Sequence, residues 1–187
     1  MKKDNHTKYA ILGLLTTDCR SGYAIKQMCD RSLNHFWKIS YGQIYPMLKQ
    51  LVTDELATVR DTTQDDGPDK KEYFITAKGE AALQEWLQTP IDKIPAERNA
   101  VLLKLFFSRH QDADATIRQL EDYQQKLEER YSTYEVIEEM IASHMHNKQD
   151  APYWLFTLDY GKRLTKAAID WCTDTIDQIN PGRDNDG

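Results

Sequence analysis

Apolar positions recur at helical spacing along most of the chain, with one interruption. Tyr9 to Thr16 is a short apolar run that reads as a helix. Ser21 is placed to cap a second helix, in which Ile25, Met28, Cys29, Leu33 and Phe36 recur three or four residues apart. Ser40 is placed to cap a third, with Ile44, Leu48 and Leu51 as its buried stripe. The period then changes to that of strands. Ala57–Arg60 and Glu72–Ile75 flank a polar, turn-rich loop from Asp61 to Lys71. Thr76 caps a further helix that runs through Trp86 and Leu87.

Pro90 and Pro95 forbid a continuous helix and mark a linker over residues 89–98. Ala100–Phe107 is a short apolar helix. Beyond it, Ala113, Ile117, Leu120, Gln124, Leu127, Tyr131, Tyr134, Glu138, Ile141 and Met145 form one stripe. That spacing predicts a helix of roughly 35 residues, on the order of 50 Å long. Pro152 opens the last helix, whose face runs Trp154, Leu158, Gly161, Thr165, Ala168, Cys172, Ile176 and Ile179. Gly161 and Ala168 are small enough for close helix approach. Pro181-Gly182 ends it, and Arg183–Gly187 is a polar tail. So small a domain leaves so long a helix uncovered, so the two stripes predict a seam with a partner chain. The expected division is therefore 1–88, a linker at 89–98, a helical dimerisation domain at 99–180 and a flexible tail at 181–187.

Composition narrows the class. A hydrophobic content of 40% in 187 residues supports a packed core rather than disorder. The longest apolar run, Tyr9–Leu15, is far too short to span a bilayer. Lys2, Lys3 and Lys8 precede it as in a secretion signal, but Asp4 interrupts them and no small-residue cleavage site follows. The expected location is cytoplasmic, with Cys19, Cys29 and Cys172 as free thiols. The net charge of −6 argues at first against nucleic acid, whose partners are usually basic. Its distribution removes the objection. Residues 1–88 hold 12 basic and 12 acidic side chains; residues 89–187 hold 12 and 18.

Signals for catalysis are poor. The 8 glycines form no phosphate-cradling loop. His144 and His146 point about 200° apart on a helix and do not share a metal readily. Glu128-Glu129 and Glu138-Glu139 read as solvated charge. No enzyme, cofactor or metal is expected.

The first half carries a different signal. Three helices followed by a hairpin is the order of a winged helix-turn-helix, in which the third helix enters the major groove. With Ile44, Leu48 and Leu51 buried, the opposite arc shows Gly42, Gln43, Pro46, Lys49 and Gln50. Gln suits adenine and Lys suits phosphate or guanine. Ser40 at the helix start suits a phosphate, and Tyr41 and Tyr45 flank the arc. An ordinary amphipathic surface helix has the same periodicity. Pro46 is an anomaly: it lacks the amide that would bond to Gly42 four residues back.

At these residues the chain resembles the PadR family of bacterial transcriptional regulators. The resemblance is carried by Gly22-Tyr23-Ala24-Ile25, by Ser40-Tyr41-Gly42-Gln43-Ile44-Tyr45-Pro46-Met47-Leu48 within Trp37–Leu51, and by Tyr73-Phe74-Ile75-Thr76-Ala77-Lys78-Gly79. It is strong over residues 7–88. The remainder is similar to the helical C-terminal domain of the longer members, related to the virulence activator AphA. The resemblance implies a mainly α fold, with an N-terminal winged helix-turn-helix, a two-stranded wing and a C-terminal helical dimerisation domain. It implies a homodimer on inverted-repeat promoter DNA, commonly a repressor, with Ser40–Thr53 as recognition helix and Ala57–Ile75 as wing.

The expected DNA contacts are Lys38, Ser40, Tyr41, Gln43, Tyr45, Lys49, Lys70 and Lys71, with Lys8 and Lys26 as further cations. The wing departs from the family: its tip carries Asp61, Asp65, Asp66 and Asp69, so Lys70 and Lys71 are expected to reach DNA while the tip stays away. A small-molecule effector is a further implied partner, with Trp86, Phe106 and Trp154 as candidate contacts. The rival reading is a winged helix used to dock a protein.

Overall fold

The structure, a computed structural model, describes residues 6–17, 19–33, 36–62, 70–94, 97–145 and 148–180, with Thr62 and Lys70 described by their backbone. The chain forms two compact units, Met1–Ile94 and Pro95–Gly187.

The first unit runs α1 (His6–Leu15), α2 (Gly22–Arg31), α3 (Tyr41–Thr53), β1 (Ala57–Thr62), β2 (Lys70–Ile75) and α4 (Ala77–Gln88). Ile11, Leu12, Ile25, Ile44, Leu48 and Leu51 are wholly inaccessible and form its core with Cys29. Ser21 caps α2 as its position suggests, accepting the Ala24 amide at 3.1 Å. The helix stops at Arg31, short of the predicted stripe. Both the amide and the hydroxyl of Ser32 bond to the Met28 carbonyl, which closes the helix. Leu33 still packs on the core, but Phe36 does not and is 59% exposed.

The connection from α3 to β1 is locked from several sides. Glu55 sits at φ 60, its carbonyl accepts the Thr76 hydroxyl at 2.8 Å, and its carboxylate meets Lys78 at 2.9 Å. Thr76 also caps α4, accepting the Gly79 amide at 3.1 Å. Gly79 lies so close that a Cβ there would stand 2.1 Å from the Leu56 carbonyl oxygen. Only glycine fits, and this seats α4 on the start of the wing.

The wing is one antiparallel pair with Ala57 opposite Ile75, Arg60 opposite Glu72 and Thr62 opposite Lys70. The strands are longer than the sequence suggests. Asp61 and Lys71, expected in the loop, are a cross-strand pair. Asp65, Asp66 and Asp69 lie outside the described residues.

The second unit runs α5 (Ala100–Phe106), a 3₁₀ turn (Ser108–His110), α6 (Ala113–Met140), a π-helical segment (Ile141–Met145) and α7 (Ala151–Ile179). Asp112 caps α6 by accepting the Ala115 amide at 2.6 Å. The long predicted helix is present, but its end widens into the π segment. The stripes expected to face a partner chain are occupied within the chain. The two stripes close on each other within one chain, antiparallel. Ile117 and Leu120 cluster with Ile176 near one end; Tyr134 and Ile141 cluster with Ala151 and Leu158 near the other. The polar positions of the α6 stripe are matched across the seam. Gln124 donates to Thr173 at 3.1 Å, and Lys162 donates to Glu138 at 2.6 Å. A Cβ on Gly161 would stand 3.2 Å from the Tyr134 ring, so this glycine serves the intrachain contact.

Among the described residues no helix is long and apolar enough to cross a membrane. The tail at 181–187 lies outside them.

Candidate nucleic-acid interface

The surface of α3 follows from its burial pattern. Ile44, Leu48 and Leu51 are fully buried, which turns Tyr41, Gly42, Gln43, Tyr45, Pro46, Lys49 and Gln50 outward. The expected contacts on α3 therefore share one exposed strip, and Lys38 and Ser40 are exposed just before it. The thiols lie elsewhere: burial pushes the buried Cys29 up to about 11 and raises Cys172.

The detail of that strip changes three expectations. The Ser40 amide was expected to be open to a phosphate, but it donates to Gln43 Oε1 at 2.9 Å. The Ser40 hydroxyl donates to the same oxygen at 3.1 Å. Gln43 thus closes a capping box, and its side-chain oxygen is committed before any base is met. Bidentate pairing to adenine uses that oxygen as an acceptor, so it requires opening the cap. Gln50 is likewise engaged, donating to Asp54 at 2.7 Å. The signal was in the sequence: Ser40-Tyr41-Gly42-Gln43 has the S-x-x-Q spacing of a capping box.

The two tyrosines are held rather than loose. Their rings stack at 6.4 Å between centroids, with an interplanar angle of 14°. Tyr45 lies against Gly22 of α2, where a Cβ would stand 2.6 Å from its ring. Gly22 therefore makes the slot that aims Tyr45. Lys26 lies 5.5 Å from the centroid of the Tyr41 ring and forms an ion pair with Asp30 one turn on. It is not a free cation for phosphate, against expectation. Lys8 lies over the Tyr9 ring at 5.4 Å. Lys49 is exposed. Pro46 takes its predicted place inside α3 without an amide for Gly42. That leaves the Gly42 carbonyl without its usual donor on the exposed strip.

The wing cations divide. Lys71 is exposed and stands opposite Asp61. Of Lys70 only the backbone is described, paired with Thr62. Sequence reasoning missed two cations near the wing, Arg20 and Arg60. Both lie over the Phe74 ring, at 4.9 and 4.7 Å to its centroid. No local pattern marks them, because strand register places Arg60 beside Phe74 and the connection between α1 and α2 brings Arg20 there.

The candidate effector residues fall in separate settings. Trp86 stacks on Tyr9 at 4.8 Å and meets His6 edge-on. Phe106 is exposed and meets Phe107 edge-on at 5.1 Å. Trp154 packs on the cluster of Tyr134, Ile141, Ala151 and Leu158. Among the described residues no group of three or more His, Cys, Asp or Glu could hold a metal. His144 contacts the Ser143 hydroxyl at 2.9 Å, and His146 lies outside the described residues.

The transcriptional regulator PadR-like family matches residues 11–85, and the virulence activator alpha C-terminal family matches residues 97–180. The chain is 37% identical over 179 residues to the negative transcriptional regulator PadR of Bacillus subtilis (strain 168), covering 92% of this chain and 97% of that one. It is similar to the crystal structure of Bacillus subtilis PadR in complex with operator DNA. The TM-score is 0.85 at 27% identity, over 94% of this chain and 100% of that one. It is also similar to the crystal structure of the same regulator in complex with p-coumaric acid. There the TM-score is 0.78 at 26% identity, over 92% and 98% of the two chains.

Proposed function

The chain belongs to the PadR family of transcriptional regulators, and from that footing we propose that it represses transcription as a homodimer on inverted-repeat promoter DNA. One observation carries the DNA reading. The helix that follows the winged-helix order keeps a complete apolar stripe inside and a strip of Tyr41, Gln43, Tyr45 and Lys49 outside. The relative solved with operator DNA supports it. In this reading α3 enters the major groove, its tyrosines and Lys49 hold the backbone, and Lys38 and Lys71 add phosphate contacts. Footprinting on the duplex upstream of its own gene tests it. Protection of two half-sites about one helical turn, roughly 34–36 Å, apart is expected. No protection, or protection unchanged by Tyr41→Ala with Lys49→Ala, would favour a protein-docking role.

The dimer reading rests on apolar surface that the intrachain seam leaves over. Tyr153, Phe156, Tyr160 and Leu164 follow helical spacing on the outside of α7, each more than half exposed. Val136 and Met140 are exposed on α6, as are Leu102, Leu103, Phe106 and Phe107 around α5. Apolar rows of this kind mark interaction sites, and a two-fold pairing makes them self-complementary.

Release by a small aromatic acid is the reading for regulation, supported by the relative solved with p-coumaric acid. Titrating phenolic acids into the protein–DNA complex tests it; DNA binding that never changes would count against it.

A further inference from the structure

The acidic loop leaves the wing short of cations, and the structure gathers two on one ring, Arg60 from β1 and Arg20 from outside the wing. Phe74 shares the outer face of the hairpin with Thr58, Arg60 and Glu72, while Ala57, Tyr73 and Ile75 pack on the core. The Arg60 guanidinium lies 4.7 Å from the centre of the Phe74 ring, and that of Arg20 lies 4.9 Å away. Arg20 comes from the connection between α1 and α2. Its carbonyl accepts the Tyr73 amide at 2.7 Å, which pins its backbone beside β2.

Arg60 had a ready partner in Glu72, directly across the ladder, yet it lies on the ring. Among the described residues neither guanidinium forms an ion pair with a carboxylate. Two like charges gathered on one ring, both exposed, repel each other. A guanidinium stacked on an aromatic ring keeps its N–H edge free, and that edge matches a phosphate bidentately. Stacking also limits the rotamers each side chain surrenders on binding.

We propose that Arg20 and Arg60, held on Phe74, form a second phosphate-binding patch that grips the duplex backbone flanking the groove entered by α3. Phe74 is the positioning residue. The inference rests on the DNA-binding reading above. It explains how a wing with an acidic loop still engages a polyanion.

The test is equilibrium binding of the full chain to a labelled duplex from upstream of its own gene, across a salt series. Arg20→Gln with Arg60→Gln is expected to lower the log–log salt slope by about two and to weaken binding roughly tenfold or more. Phe74→Leu keeps both charges and is expected to lose part of the affinity, which Phe74→Tyr restores. Should the glutamine pair fail to fold, Arg20→Lys with Arg60→Lys keeps the charge and removes the stack. It is expected to weaken binding severalfold with the slope retained, and an unchanged affinity counts against the patch. A parent that binds while the glutamine pair keeps its slope and affinity overturns this inference alone. A parent that binds no such duplex overturns the DNA reading and the patch together.

Discussion

Glu55 occupies left-handed backbone at φ 60, a conformation that costs a side chain roughly 1 kcal/mol. Its ion pair with Lys78 is exposed and offsets little of that. Glu55→Gly is therefore expected to stabilise the first unit by up to about 1 kcal/mol, read as a shift in urea midpoint. Gln43 separates two roles that a simple reading of α3 merges. Glutamate at the third helical position also closes a capping box and suits the helix dipole. Gln43→Glu should thus keep the melting temperature within a degree or two while weakening operator binding at least tenfold, about 1.4 kcal/mol. An equal loss of stability and binding would show that Gln43 only caps. Cys29 gives a pH dependence. Burial pushes its thiol from 9.0 up to about 11, so the unfolded chain releases this proton first as pH rises. Its stabilising share is complete below pH 9 and is lost towards pH 11. Urea midpoints measured across that window should fall more steeply for the parent than for Cys29→Ala. The caps at Ser21 and Thr76 and the stripe of α3 were legible in the sequence, because each depends on neighbours within one helical turn. The engaged oxygen of Gln43 was legible too, from S-x-x-Q, but was masked by the attraction of glutamine to adenine. Arg20 on Phe74 was not legible, since no local spacing encodes a contact made by a connection lying beside β2.

At the scale of elements, α6 and α7 repeat with a period of seven. Leu120, Leu127 and Tyr134 are buried on α6 with Ile141 at the start of the π segment, and Ala151, Leu158, Thr165 and Cys172 are buried on α7. A strict seven-residue repeat implies a left-handed supercoil of the two helices. Both stripes were legible in the sequence, and their mutual pairing was not. An amphipathic face states that it must be covered, not whether by its own chain or by another. The size mismatch at Gly161 supplies a test of the observed pairing. Gly161→Val places methyl groups against the Tyr134 ring and is expected to cost about 2 kcal/mol of second-unit stability in urea unfolding. A neutral outcome would mean that the helices do not close on each other at this point.

For the whole molecule, the net charge of −6 belongs to residues 89–187, and the neutral first unit carries the exposed strip of α3. Non-specific affinity for DNA should therefore be low, and specificity should depend on two half-sites being held together. The outer row of α7 is where that coupling is to be tested. Phe156→Glu with Leu164→Glu is expected to halve the mass measured by light scattering while leaving the helical circular dichroism unchanged. Operator affinity should fall by at least a hundredfold, because each monomer then binds one half-site. A mass that stays at two chains would move the contact elsewhere, and a parent mass of one chain would count against the dimer. The heptad phasing of α6 and α7 bears on how such a regulator can diversify. Seven residues added to each arm restore every buried layer, whereas three or four displace the stripes. The helical rod can thus change length in steps of about 10 Å without a new core being invented, so its reach is open to selection independently of α3.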